Sequence, residues 1–294
     1  MKKVTAVLIN YDTAIYTREC VKSLLQSKEC ALEIVVVDNS DSADGYAELQ
    51  KEMAPYAITL IKAPENLGFS NGNNIGIQYA LAHGAEYILI LNNDTVIDEN
   101  MIAILLQKAD CNTVTVPKMY YHEKPTVLWY AGGEMQCHLG KPTHIGQNRE
   151  DCDEYSKEKE VSFATGCCLL LHKKIIEQVG LWDESFFMYG EDVDYSIRLA
   201  QNGIKILYVP TAKLWHKVGA SAGIVSALGI YYDNRNRFFL IKKYNYPLRG
   251  WLYTVGTRFI RFLVAPFQRN SNQKYVLNAW RDYRKGVRGK VDFV

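Results

Sequence analysis

The 294 residues are 48% hydrophobic and 22% charged, with only 8 prolines, which excludes a disordered chain, a collagen-like repeat and a disulfide-stapled miniprotein. Such a length suffices for one large domain, or for one domain with a smaller appendage. The net charge of +2 conceals a division: residues 1–234 carry 20 Lys+Arg against 30 Asp+Glu, whereas residues 235–294 carry 14 against 2, a basic tail of the kind that meets anionic surfaces.

In chain order, Val4 to Asn10 is an apolar run that ends in a polar turn, and Thr13 to Ser27 has helical spacing. Glu33 to Asp38 reads as a second buried strand, followed by a helix at Ala43 to Met53 and a strand at Ile58 to Lys62. A polar Gly-rich loop, a helix from Asn73 to His83 and a strand at Tyr87 to Leu91 complete the first half. Continuous β-branched runs separated by helices predict a parallel sheet covered on both faces. Ligands of such sheets bind beyond the carboxyl ends of the strands, where this chain places Asn10-Tyr11, Asp38-Asn39, Glu65-Asn66 and Asn92-Asn93-Asp94. Further strands are expected at Thr113 to Pro117, Val161 to Phe163, Cys168 to His172 and Ile204 to Val209, with a mobile acidic loop over Gln147 to Glu160 and a helix over Glu191 to Asn202. From Ser221 onward the pattern is helical. Seven cysteines lack CxxC or zinc-ligand spacing and read as the reduced thiols of a cytosolic protein. The start is too short for a signal peptide, and no 18-residue stretch is apolar without charge, so no transmembrane helix is expected.

Several clusters carry chemistry. Asn92-Asn93-Asp94 after an apolar strand offers hard oxygen ligands to Mg²⁺ or Mn²⁺, or a simple turn or helix cap. Glu191, Asp192 and Asp194 follow an aromatic run at a helix start. They read as dipole-stabilised capping carboxylates, or as a carboxylate facing a pocket as general base; Glu191 and Asp192 point apart, so only one faces substrate. His216 after Trp215 reads as a packed residue or as completing a metal site begun by Asp94. The Asn66–Gly76 segment is rich in amides that can meet a nucleotide, yet neither GxGxxG nor a P-loop is present.

The ordered set VLINYD, VVVDNSD, NLGFSNGNNIG, LILNNDT, ATGCCLLLHKK, GLWDESFFMYGEDVDYSIRL and LWHKVGAS resembles the inverting family 2 glycosyltransferases, most of all their rhamnosyltransferase-type branch. The resemblance covers residues 1–240. It implies a GT-A fold of the α/β class, a Rossmann-like mixed sheet flanked by helices. A nucleotide-sugar-binding half would span 1–117 and an acceptor-binding half 118–240, with a basic helical extension over 241–294. Carried over, Asn10, Tyr11 and Asp38 would bind the base and ribose, and Asn66, Gly68 and Asn71 would line the nucleotide and donor sugar. Asn92-Asn93-Asp94 matches the family's DXD motif, with Asp94 as main ligand of Mg²⁺ or Mn²⁺ and His216 completing the site. Gly166 would floor the cleft. Asp192, beside Glu191, matches the general base. Asn92 departs from DXD, contributing an oxygen without charge, which shifts ligation toward His216 and the diphosphate.

The expected reaction moves a sugar, rhamnose in the branch resembled, from a dTDP-, UDP- or GDP-linked donor to a hydroxyl of a surface polysaccharide or lipid-linked glycan precursor. Two other readings compete. A nucleotidyltransferase would carry a basic Gly-rich loop after the first strand, which Asn10 to Arg18 lacks. A catalytically silent sugar-nucleotide or glycan-binding subunit would not need Asp94, Asp192 and His216 together. In the tail, a helix over Leu248 to Ala265 groups Leu252, Val255, Phe259, Phe262 and Leu263 on one side, near Arg258 and Arg261. That suits either a helix in an anionic bilayer interface or packing on the catalytic domain. No nucleic-acid motif is present. The expectation is a cytoplasmic enzyme, peripheral on the inner face of the cell membrane, with a homodimer as a further expectation.

Overall fold

The computed structural model describes residues 1–136, 138–218, 227–264 and 273–291. Strands β1 (Lys3–Asn10), β2 (Ala31–Asp38), β3 (Thr59–Lys62) and β4 (Tyr87–Leu91) alternate with helices α1 (Ala14–Leu24), α2 (Ala43–Met53) and α3 (Gly68–Ala82). A short β5 (Thr95–Ile97) and α4 (Met101–Lys108) lead into β6 (Thr113–Tyr121), β7 (Lys124–Tyr130), the hairpin β8 (Gly133–Gln136) and β9 (Lys141–His144), then β10 (Lys159–Val161) and β11 (Cys168–His172). Next come α5 (Lys173–Val179), α6 (Glu191–Gln201) and the long β12 (Lys205–His216). Helices α7 (Ala227–Lys243), α8 (Leu248–Val264) and α9 (Gln273–Lys285) close the chain.

Among the described residues the main sheet runs β10-β12-β6-β11-β4-β1-β2-β3, with β5 on β12 and β7 on β6. The first-half strands pair in parallel, as their continuous apolar runs predict. The second half makes the sheet mixed, because β11 enters antiparallel between β4 and β6. Strand alternation covers both faces: Val35 and Val37 pack with Ile75 and Tyr79 of α3, while Ile34 and Val36 join the main core with Cys20, Leu24 and Leu49.

The expected elements recur with shifts that have physical causes. Helix α3 begins at Gly68 instead of Asn73, so the Gly/Asn-rich segment is helix and not loop. Close packing outweighs poor helix propensity there: a Cβ on Gly76 would lie 2.3 Å from Val7 Cγ1, and one on Gly72 2.8 Å from Asn39 Nδ2. Strand β12 continues past Pro210 to His216 because the register shifts between Val209 and Lys213, a bulge that accommodates proline. The segment expected as a mobile loop is anchored. Lys118 donates to both oxygens of Asp151 at 2.8 and 2.9 Å, Tyr120 donates at 2.6 Å, and Tyr155 is buried. Residues 221–226 and Ala265 lie outside the described residues.

Helix α7 continues across position 240 without a break and packs on α9 through Phe238, Trp280 and Tyr283. Arg235 is fully buried there, its guanidinium over the Tyr231 and Tyr232 rings and donating to Gly289 O at 2.8 Å. The parallel strands β1, β2 and β4 and the long β12 all end on one rim, which carries Asn10, Asp38, Asn92 to Asp94 and His216.

Candidate active site

At the end of β4 the chain turns through Asn92-Asn93-Asp94. The Asn92 N–H donates to Cys167 O at 2.8 Å, tying this turn to the one that leads into β11. Asn93 points inward: its amide donates to Thr13 and Thr17 hydroxyls at 2.8 and 2.7 Å, and Thr17 donates onward to Asn10 Oδ1 at 2.8 Å. Asp94 is buried. The β5–β12 register sets Thr95 against His216, and Lys217 N–H donates to Asp94 O at 2.9 Å. His216 Nε2 thereby comes within 3.1 Å of Asp94 Oδ1. Burial disfavours a charged imidazole, but Cys167 and the Asp94 carboxylate beside it reverse the sign and raise the His216 pKa. The Trp129 ring stands edge-on at 4.4 Å.

His216 Nδ1 is buried without a hydrogen-bond partner. Orphaned buried polar atoms of this kind are costly in a native fold, and an oxygen–nitrogen pair suits a hard or borderline divalent cation. Among the described residues no group of three His, Cys, Asp or Glu is gathered for a metal; a cation here would take two ligands from Asp94 and His216 and the rest from substrate and water.

A short distance along the rim, the FFMYGED segment starts α6. Tyr189 (φ 65) and Gly190 (φ 94) turn the chain with left-handed backbone. Asn236 of α7 donates to the Met188 and Tyr189 carbonyls at 3.0 and 2.8 Å and so fixes the turn. Substituting Asn236→Ala strands both carbonyls, at a cost of about 1–3 kcal/mol. Thermal melting should drop by several degrees; an unchanged melting temperature would remove this pin from the description.

The three acids of α6 divide their roles. Asp194 is fully buried and consumed by Arg198 (2.8 Å), Lys243 (2.5 Å) and Tyr244 (2.7 Å). Asp192 accepts from Val193 N–H at 2.8 Å and from Gly166 N–H at 3.4 Å. Burial raises its pKa to about 6 despite these backbone donors. Glu191 is buried with Oε2 unpartnered, and burial plus the Asp192 charge raise its pKa well above the carboxylate range. Of this pair Asp192, at about 6, is the acid placed to ionise near neutrality, and burial together with the Asp192 charge shifts Glu191 upward. Gly166 makes this possible, since a Cβ there would lie 2.9 Å from the Phe69 ring and 3.8 Å from Asp192 Cβ.

On the donor side, Asn10 and Asp38 are fully buried and bond each other at 2.7 Å. Asp38 also accepts from Ser40 at 2.7 Å and Lys62 at 2.9 Å. Their side chains hold Ser40, Lys62 and the β1–α1 turn in place at the strand ends where base and ribose are expected. Tyr11 is exposed, its hydroxyl 3.5 Å from Asp41, and Asn66 caps Gly68 N–H at 3.0 Å. Gly68 (φ 74) abuts Phe187 O, which accepts from Phe69 N–H at 2.7 Å. Asn71, with its amide turned to donate, reaches Glu184 at 3.1 and 3.2 Å. Asn66, Asn71, Glu184 and Lys290 line a hollow of about 160 Å³.

Sequence reasoning missed several positioning groups: Lys62, Asn39, which donates to Gly68 O at 2.8 Å, and Asn74, which exchanges two 3.0 Å bonds with the Trp182 backbone. The density of asparagines in residues 66–74 was the available signal.

The sequence matches the family described as "Glycosyl transferase family 2" over residues 5–180. It is 28% identical over 245 residues to the low-salt glycan biosynthesis hexosyltransferase Agl10 of Haloferax volcanii, covering 79% of this chain and 73% of that protein. With the dTDP-rhamnosyl transferase RfbF of Shigella flexneri the identity is 24%, covering 83% and 81%. The N-acetylglucosaminyl-diphospho-decaprenol L-rhamnosyltransferase of Mycobacterium tuberculosis is 25% identical, covering 74% and 76%. Among solved structures, GalNAc-T7 with UDP, GalNAc and Mn²⁺ superposes with a TM-score of 0.57 at 16% identity, over 74% of this chain and 44% of that one. The family match spans more than half of the chain, the overlaid architecture is the same mixed sheet flanked by helices, and the chain belongs to glycosyl transferase family 2, a glycosyltransferase of GT-A fold.

Proposed function

We propose that this enzyme is an inverting, divalent-metal-dependent glycosyltransferase. It takes a sugar from a nucleoside-diphosphate donor, dTDP-rhamnose first among the candidates, to a hydroxyl of a surface polysaccharide or its lipid-linked precursor. Two relatives named for rhamnosyl transfer, one with a dTDP donor and one with a diphospho-decaprenol acceptor, support the sugar and acceptor classes. With such an acceptor the enzyme would act at a membrane surface.

One observation carries the reading: consecutive residues Gly166 and Cys167 join the two halves of the site. Cys167 O fixes the Asn92-Asn93-Asp94 turn, and Gly166 N–H fixes Asp192. Consecutive Cα atoms are about 3.8 Å apart, so the candidate metal pair and the candidate base share one short backbone hinge. A divalent cation held by Asp94 and His216 would neutralise charge developing on the departing diphosphate. Asp192, ionised near neutrality, accepts the acceptor hydroxyl's proton as that oxygen attacks the anomeric carbon opposite the leaving group. Burial and the Asp192 charge favour the neutral form of Glu191 beside it. Direct attack by the acceptor inverts the anomeric configuration in one step and requires no nucleophilic side chain. Proton NMR of products formed from dTDP-, UDP- and GDP-sugars tests this. Consumption of one donor with inverted configuration is expected; retained configuration would overturn the mechanism.

A further inference from the structure

Helix α8 turns an apolar face outward. At about 100° per residue, Leu248, Leu252, Val255, Phe259 and Leu263 fall on one stripe, and all five are exposed, Leu248 at 72% and Leu252 at 64%. Ile260, about 60° beyond Leu263, is exposed as well. The opposite side of α8 is what the fold uses: Gly250 and Thr254 are buried, and Arg258 and Arg261 reach back to Asp233 of α7 at 3.2 and 2.5 Å. Contiguous exposed apolar surface marks an interaction site.

Charge says what covers it. The neighbouring helix α9 exposes Lys274, Arg281, Arg284 and Lys285 together with Leu277 and Trp280, and Arg249 is exposed at the start of α8. Residues 235–294 carry 14 Lys+Arg against 2 Asp+Glu. A second copy of this chain laid face to face would oppose two such cationic regions. An anionic bilayer interface satisfies both features at once, taking the apolar stripe at the acyl boundary and the cations at the headgroups. Among the described residues no helix is long and apolar enough to cross a membrane, so the geometry is that of a helix lying in the interface plane.

We infer that the outward face of α8, with the basic face of α9, docks the enzyme on an anionic lipid surface. The inference needs neither donor nor acceptor to be known, and its test uses no turnover, so its failure is separable from failure of the glycosyl-transfer reading.

The test is co-sedimentation of the full chain with vesicles of pure phosphatidylcholine or of phosphatidylcholine with phosphatidylglycerol. One variant is Leu252→Glu with Phe259→Glu and Leu263→Glu; a second is Arg281→Gln with Arg284→Gln and Lys285→Gln. Wild type is expected to pellet with the anionic vesicles and to release at high salt. The apolar variant should bind at least tenfold more weakly. The basic variant should lose about fivefold per cation removed. Both should melt as wild type does, because the changed side chains are exposed. Equal pelleting of wild type and both variants overturns the inference. So does a wild-type dimer in light scattering that the apolar variant converts to monomer, since the face then belongs to a second copy.

Discussion

Replacing Asp192 by Asn should lower kcat by about 10³-fold, within the range that a positioned general base contributes, while nucleotide binding persists. The side chain keeps its shape and one acceptor oxygen for the Val193 or Gly166 N–H, so the substitution removes a proton acceptor more than a structural contact. The pH dependence supplies a second readout. Burial raises the Asp192 pKa to about 6, and the base works only when ionised. Wild-type kcat/KM should therefore climb as pH rises through about 6 and level off above it. The same limb should vanish from the residual activity of Asp192→Asn. Glu191→Gln should be far milder, because burial and the Asp192 charge already favour the neutral form of Glu191. A larger loss from Glu191→Gln than from Asp192→Asn would exchange their roles.

Gly68→Ala is expected to be the most destabilising single methyl in the donor half. The residue sits at φ 74, and its Cβ would lie 2.1 Å from Phe187 O. That carbonyl already accepts from Phe69 N–H at 2.7 Å, so it has little room to retreat. Left-handed backbone costs an L-residue about 1–2 kcal/mol, and forced overlap adds about 1–3 kcal/mol. In a protein of this size a loss of about 3 kcal/mol lowers the melting temperature by roughly 6–12 °C. Phe187 also stands at the entrance to the aromatic turn that delivers Asp192, so donor affinity and turnover should fall together. An unchanged melting temperature would show that Phe187 moves freely, and the coupling between α3 and the α6 turn would be absent.

Much of this was readable from sequence because it rests on local patterns. β1, β2, β4 and β11 are continuous apolar runs, and β11 has the same limits in the structure as in the sequence reading. The placing of Asp94 and His216 on one rim follows from polar residues set just after or at the end of strands. What sequence reasoning missed is long-range or depends on packing. The antiparallel entry of β11 between β4 and β6 is a matter of topology, which apolar runs do not encode. The early start of α3 depends on how closely Gly72 and Gly76 approach β1 and the β2 turn. The bonds that Asn10 and Asp38 make to each other, Ser40 and Lys62 join separate elements and are not written in any local pattern. Likewise Asn236 and Lys243 hold the α6 start from a helix more than 40 residues downstream, a pairing no spacing rule announces.

The most direct test of the site is calorimetric titration of dTDP, UDP and GDP into wild type and Asp94→Ala, each with Mg²⁺, Mn²⁺ or EDTA. One nucleotide is expected to bind wild type with metal, and at least tenfold more weakly with EDTA or in Asp94→Ala, a difference of about 1.4 kcal/mol. Nucleotide binding of equal strength in all of these conditions would contradict a metal-bridged diphosphate at Asp94 and His216.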